Sequence, residues 1–164
     1  MTTDPSSAAP DAREMRKLRR SAARLHAVQA LFQMEHSDLS ADQVREEFLA
    51  HRFGLELEDG AEMIDGDVDH FRLVLDEAVN WQARIDQMTD RALVAKWPIE
   101  RIDPTLRALF RAAGAELVAT DTPPKVVIVE YVEIAKAFYP DGRESRFVNG
   151  VLDHMAREAK PDSF

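Results

Sequence analysis

The chain has 164 residues, 45% of them hydrophobic, with no cysteine and a formal net charge of −9 from 21 Lys and Arg against 30 Asp and Glu. That length fits one domain or two small subdomains sharing an interface. The lack of cysteine excludes disulfides, zinc–thiolate sites, thiolate-held iron–sulfur clusters and thiol chemistry, and it fits a reducing compartment.

No uninterrupted apolar run approaches the roughly 18 residues of a membrane helix. No apolar N-terminal segment leads into a cleavage site. The expectation is therefore a cytoplasmic protein with no membrane partner. Residues 1–12 form a polar, Pro- and Ala-containing tail, expected to be disordered.

Arg13–Arg24 reads REMRKLRRSAAR, with a net charge of +5, whereas from Leu25 onward 15 basic residues face 27 acidic ones, a net of −12. Such a basic arm on an acidic body is an electrostatic footprint for phosphates, on one face only. The same residues also suit a plain solvated helix face.

Helical periodicity starts near Met15, with Leu18, Ala22, Leu25, Val28 and Leu31 or Phe32 on one face. Ser37–Ser40 is a break, and Ser40 with Gln43 forms a capping box for a second helix. That helix carries Val44, Phe48 and Leu49 and ends near Gly54. An acidic stretch follows. Asp65, Asp67 and Asp69 fail as a calcium loop, because His70 stands where the loop requires glycine. They read instead as linker and N-cap residues.

A third helix is expected over 68–85, with Phe71, Val74, Leu75, Ala78 and Ile85 inside and Trp81 near the same face. Thr89–Val94 reads as a short helix, broken by Trp97-Pro98. Asp103-Pro104 is an N-cap followed by proline at the first helical position. Leu106, Leu109, Phe110, Ala113 and Leu117 line that helix, and Gly114 permits a close backbone approach.

After Asp121-Thr122-Pro123-Pro124, the β-branched run Val126–Val129 suggests a strand. The 3.6-residue period through Tyr131, Ile134, Ala135 and Phe138 favours a helix, and we read it so. Tyr139–Arg143 is a turn. The last helix carries Phe147, Val148, Val151, Leu152 and Met155.

The expected architecture is all-α, two small helical bundles packed together. A basic-arm subdomain would span 13–87, a second subdomain 88–160 and a tail 161–164.

Enzymatic signals are thin. The five histidines are scattered, and there is no HExxH, phosphate loop or GxSxG. Glu130 and Glu133 read as a solvated helix face, with an ion pair from Glu133 to Lys136. Tyr131 and Trp81 read as core or subdomain-interface residues. Phe32, Phe138, Tyr139 and Phe147 lie beside turns. Aromatics there anchor partners or, more often, plug the bundle.

The chain resembles the bacterial transcription antitermination factor NusB family. Arg19–Arg24 followed by Ala27-Val28-Gln29-Ala30-Leu31-Phe32 fits the family's basic start running into AxQALY/F. Trp97-Pro98 through Ile102, Leu106, Arg107 and Ala113 to Glu116-Leu117 gives the middle match. Pro124-Lys125-Val126, Ile128, Glu130, Glu133-Ile134-Ala135-Lys136 and Phe147–Asp153 (FVNGVLD) give the third. Serine at position 21, Arg143 before the final motif and a long acidic Leu55–Asp67 stretch are departures from the family pattern.

The resemblance implies an all-helical, non-catalytic protein without a cofactor or metal. It implies binding of single-stranded boxA-containing RNA together with NusE, a small-subunit ribosomal protein. Both would act in the transcription elongation complex to suppress premature termination, notably in ribosomal RNA operons. RNA contacts would fall on Arg16, Arg20 and Arg24, with Lys17 and Arg19 nearby and Gln29 in support. Phe32, Phe138 and Phe147 would face the partner. On this reading Arg20→Ala and Arg24→Ala weaken RNA binding without changing helix content.

Two other readings stay open. A similar helical domain precedes some RNA cytosine methyltransferases. The 164 residues hold no cofactor-binding α/β domain, so that role would need a separate catalytic partner. The alternative is a protein-interaction adaptor whose arm meets an acidic partner. The sequence also leaves homodimerisation open.

Overall fold

The computed structural model describes residues 11–51, 66–96 and 102–164, and these form seven α-helices. The expected disordered tail up to residue 10, most of the acidic stretch and the Trp97-Pro98 break lie outside the described residues. No described helix is long and apolar enough to cross a membrane.

Helix α1 spans Ala12–Glu35, starting earlier than the periodicity indicates because Asp11 accepts a hydrogen bond from the Glu14 amide at 2.8 Å. Its inner face is also rotated from the expected one. Ala23, Ala27, Val28, Ala30 and Leu31 are buried, while Leu18 and Phe32 are exposed. The alanines have no bulk to hold a neighbour away, so α1 packs closely on its small-residue side.

Helix α2 (Ala41–His51) is entered through the expected capping box. The Ser40 amide donates to Gln43 Oε1 at 2.8 Å and the Gln43 amide to Ser40 Oγ at 3.2 Å, so two otherwise orphaned donors are satisfied. Helix α3 (Val68–Asn80) is capped by Asp67, which accepts from the His70 amide at 3.0 Å.

The third helix does not run on to Ile85. It breaks at Trp81, and one long helix α4 (Gln82–Lys96) replaces the short one expected at 89–94. Trp81 faces outward, 40% exposed, rather than into the core. Its amide donates to the Glu77 carbonyl at 2.9 Å and its indole Nε1 to Glu77 Oε2 at 2.8 Å, which holds the ring on the surface. The inner face of α4 then repeats at helical spacing as Ile85, Met88, Thr89, Ala92 and Leu93.

Helix α5 (Pro104–Ala119) starts where Asp103 accepts from the Thr105 amide at 2.7 Å. It is buried almost all round, as befits the central element. Gly114 permits the expected close approach: a Cβ there would lie 2.3 Å from Ile85 Cγ2 on α4.

Helix α6 (Pro124–Phe138) forms despite its β-branched run, with Val127, Ile128, Tyr131, Ile134 and Ala135 inward. Gly142, at φ 83°, supplies the left-handed residue of the turn into α7 (Arg143–Ala159). A 3-10 turn follows at Pro161–Ser163.

The helices form two clusters, α1/α3/α5 and α4/α6/α7, with α5 also packed on all three members of the second. Ion pairs staple helices together at the surface. Arg111 of α5 holds Glu35 of α1 at 2.7 Å and Asp86 of α4 at 3.1 Å.

Candidate nucleic-acid interface

The N-terminal half of α1 stands at the edge of the first cluster. One wall of the groove beside it consists of Arg13, Arg16, Lys17 and Arg20. The other consists of Leu73 from α3, Thr120–Pro123 from the α5–α6 connection, and Val126 from the start of α6. Arg13, Arg16, Lys17, Arg19 and Arg20 are all exposed. Arg19 turns to a neighbouring hollow with Arg16 and Gly66–Val68, and its carbonyl accepts from the Asp67 amide at 2.9 Å. Arg20 lies 3.9 Å from Asp67 with its side chain 60% exposed, a loose pairing that leaves it available to phosphate.

Arg24 is different. It is 3% exposed and lies under the groove. Its Nε donates to Glu116 Oε2 at 2.7 Å and its Nη2 to Glu116 Oε1 at 3.0 Å, a bidentate pair. Glu116 also accepts from the Tyr131 hydroxyl at 2.6 Å and the Thr122 hydroxyl at 3.3 Å, and lies 3.0 Å from His70 Nε2. One fully buried carboxylate thus joins α1, α3, α6 and the α5–α6 connection. Burial works against its charge, but hydrogen bonds from His70 and Arg24 and the Arg24 charge outweigh that, leaving its pKa at about 2. The same burial, with Glu116 alongside, pushes the Tyr131 hydroxyl well above its ordinary value.

Glu130 is not on a solvated face. It is 9% exposed, accepts from the Ser21 hydroxyl at 2.8 Å and lies 3.6 Å from Arg24 Nη1. Its burial follows from α1 lying across that side of α6. Glu133 does pair with Lys136 at the surface, at 3.1 Å.

Gln29, Phe32 and Phe138 come together elsewhere, lining a second groove with Gln33, His36 and Thr105. Phe32 is 37% and Phe138 36% exposed, so neither is a buried plug. The Phe32 ring stacks on His36 with centroids 4.1 Å apart. Phe147 is half-buried and meets Phe110 edge-on at 6.2 Å.

Sequence reasoning missed Glu116, His70 and Thr122 as the base beneath the arm. The available signal was a glutamate inside an otherwise apolar helix, a position that burial forbids without partners. Among the described residues, no group of three or more His, Cys, Asp or Glu is arranged to hold a metal ion.

The pattern that defines the NusB family matches residues 21–157. The chain belongs to the NusB family. It is 45% identical over 152 residues to the transcription antitermination protein NusB of Maricaulis maris (strain MCS10), covering 92% of this chain and 94% of the relative. It is 47% identical over 142 residues to the NusB of Caulobacter vibrioides, covering 86% and 94%. The solved structure of T. maritima NusB superposes with a TM-score of 0.67 at 31% identity, covering 88% of this chain and 96% of that one. A NusB chain from a crystal structure of NusB and NusE with double-stranded RNA shares the fold, with a TM-score of 0.69 at 22% identity over 86% and 98%. The family match begins at Ser21, so the exposed cations from Arg13 to Arg20 lie before it.

Proposed function

We propose that this NusB-family chain is a transcription antitermination factor that binds boxA-containing single-stranded RNA jointly with a NusE-type ribosomal protein. The observation that carries the reading is the exposed row Arg13, Arg16, Lys17 and Arg20 along one groove of a chain whose net charge is −9. Phosphate contacts from that row position the RNA, and base contacts supply sequence preference. The acidic body repels RNA elsewhere and attracts a basic ribosomal protein. The antitermination role carried by the names of the Maricaulis and Caulobacter relatives supports the reading, as does the pairing of NusB with NusE and RNA in a structure of the same fold.

Within this proposal Arg16, Lys17, Arg19 and Arg20 contact RNA, and Arg24 holds the arm in place from below. Phe32 and Phe138, both exposed, face the protein partner, with the half-buried Phe147 contributing beside them. Gln29 shares the aromatic groove. It lies about 14 Å along the α1 axis from Arg20, so it serves where RNA and partner meet.

The test is titration of a boxA-type RNA at fixed salt with and without the NusE-type protein. A gain of about 1–3 kcal/mol with the partner is the expected coupling. Equal affinities contradict the proposal.

A further inference from the structure

The two walls of the groove beside the arm differ in chemistry. The α1 wall is cationic: Arg13, Arg16, Lys17 and Arg20. Among the described residues, the facing wall carries no lysine or arginine. It offers Leu73 and Val126, 39% and 40% exposed, with Pro123 and the exposed carboxylate of Asp121.

That facing wall is held in place. Lys160 Nζ donates to the carbonyls of Thr120 and Thr122 at 2.7 and 3.1 Å, tying the connection to the end of α7. The Thr122 amide donates to Thr120 Oγ1 at 3.2 Å, and the Thr122 hydroxyl is given to Glu116. The threonine hydroxyls and carbonyls are therefore engaged. Asp121 makes no hydrogen bond or ion pair among the described residues.

We propose that this groove orients single-stranded RNA, with its phosphates on α1 and an amine-bearing base against Leu73, Pro123 and Val126, where the Asp121 carboxylate accepts from that base. The proposal rests on the RNA-binding reading above and specifies what its groove selects. A phosphate turned the other way would meet a carboxylate and apolar side chains, losing its cations and gaining a repulsion. A base turned toward that wall covers exposed apolar surface and gives its N–H groups to an acceptor. A carboxylate accepts and never donates, so it favours cytosine, adenine or guanine, which carry exocyclic amines, over uracil, whose one N–H lies between two carbonyl oxygens that a carboxylate repels.

The experiment is a uridine scan. Each position of a boxA-type RNA is replaced by uridine in turn, and affinity is measured with the NusE-type protein present, for the wild type, Asp121→Ala, Leu73→Ala and Arg16→Ala. Asp121 and Leu73 lie outside the core, and circular dichroism confirms that the variants fold. The wild type is expected to lose about tenfold at one amine-bearing position. Asp121→Ala flattens the scan at that position alone and leaves the salt dependence unchanged. Leu73→Ala weakens binding several-fold, again with unchanged salt dependence, whereas Arg16→Ala lowers the salt dependence and keeps the position-specific preference. An unaltered scan for Asp121→Ala, with RNA still bound, overturns the orientation while the RNA-binding reading stands. Failure of every RNA to bind overturns both.

Discussion

Arg24 on α1 donates two hydrogen bonds to Glu116 on α5, at 2.7 and 3.0 Å, with the arginine 3% and the glutamate 0% exposed. This pair fixes where the basic arm leaves the body of the protein. Removing one partner leaves a buried charge without compensation. Glu116→Ala should therefore destabilise the protein by about 3–5 kcal/mol, read as a lowered urea midpoint. Arg24→Ala should do the same. Any loss of RNA binding in Arg24→Ala should therefore come with a loss of stability, while Arg20→Ala should leave stability unchanged.

The same carboxylate sets an acid limit. The folded-state pKa of Glu116 is about 2, against an ordinary 4.5. A depressed carboxylate contributes stability that is complete above the ordinary value and is lost as pH falls toward the folded one. Urea unfolding between pH 6 and pH 2 should show a decline beginning near pH 4.5, of which Glu116 accounts for about 3 kcal/mol. In Glu116→Gln that part of the decline should disappear. An identical pH profile for the variant would count against the buried network.

Gly114 is a packing requirement. A Cβ at that position would sit 2.3 Å from Ile85 Cγ2, inside any real contact distance. Gly114→Ala should cost about 1–3 kcal/mol, despite alanine's better helix propensity, because α4 and α5 must separate. Pairing it with Ile85→Ala should recover part of the loss, which a double-mutant cycle by thermal unfolding measures.

The arm should reveal itself through salt. Each phosphate neutralised on a single strand contributes a slope of about −0.7 in log affinity against log salt. Arg16→Ala and Arg20→Ala should each reduce the slope by about that amount, because both side chains are exposed beside the groove. Arg72, exposed on α3 and outside the groove lining, is the control, and Arg72→Ala should leave the slope unchanged.

Much of the fold was legible because local signals agreed with tertiary packing. The Ser40–Gln43 box, the Asp103-Pro104 start and the period through Tyr131 and Ile134 all hold. The break at Trp81 was not legible, because a tryptophan near an apolar face reads as core. What holds it outside is a hydrogen bond to its own Glu77 at 2.8 Å. The exposed cations of the candidate site were visible as charge. Its foundation was not, since Arg24, His70 and Glu116 are far apart in sequence and meet only after α1, α3 and α5 pack. A run of basic residues does not distinguish a buried arginine from its exposed neighbours; burial against Glu116 does.

The most direct test is fluorescence anisotropy of a labelled boxA-type RNA beside a scrambled RNA at one salt concentration, with the NusE-type protein present. The wild type is compared with an Arg16→Ala, Arg20→Ala double variant whose helix content is verified. The expected result is preference for boxA by the wild type and much weaker binding of both RNAs by the double variant, with its fold intact. Equal binding of boxA and scrambled RNA by the wild type, or unchanged binding by the variant, would contradict the assignment of the α1 arm as the site where this chain holds boxA RNA.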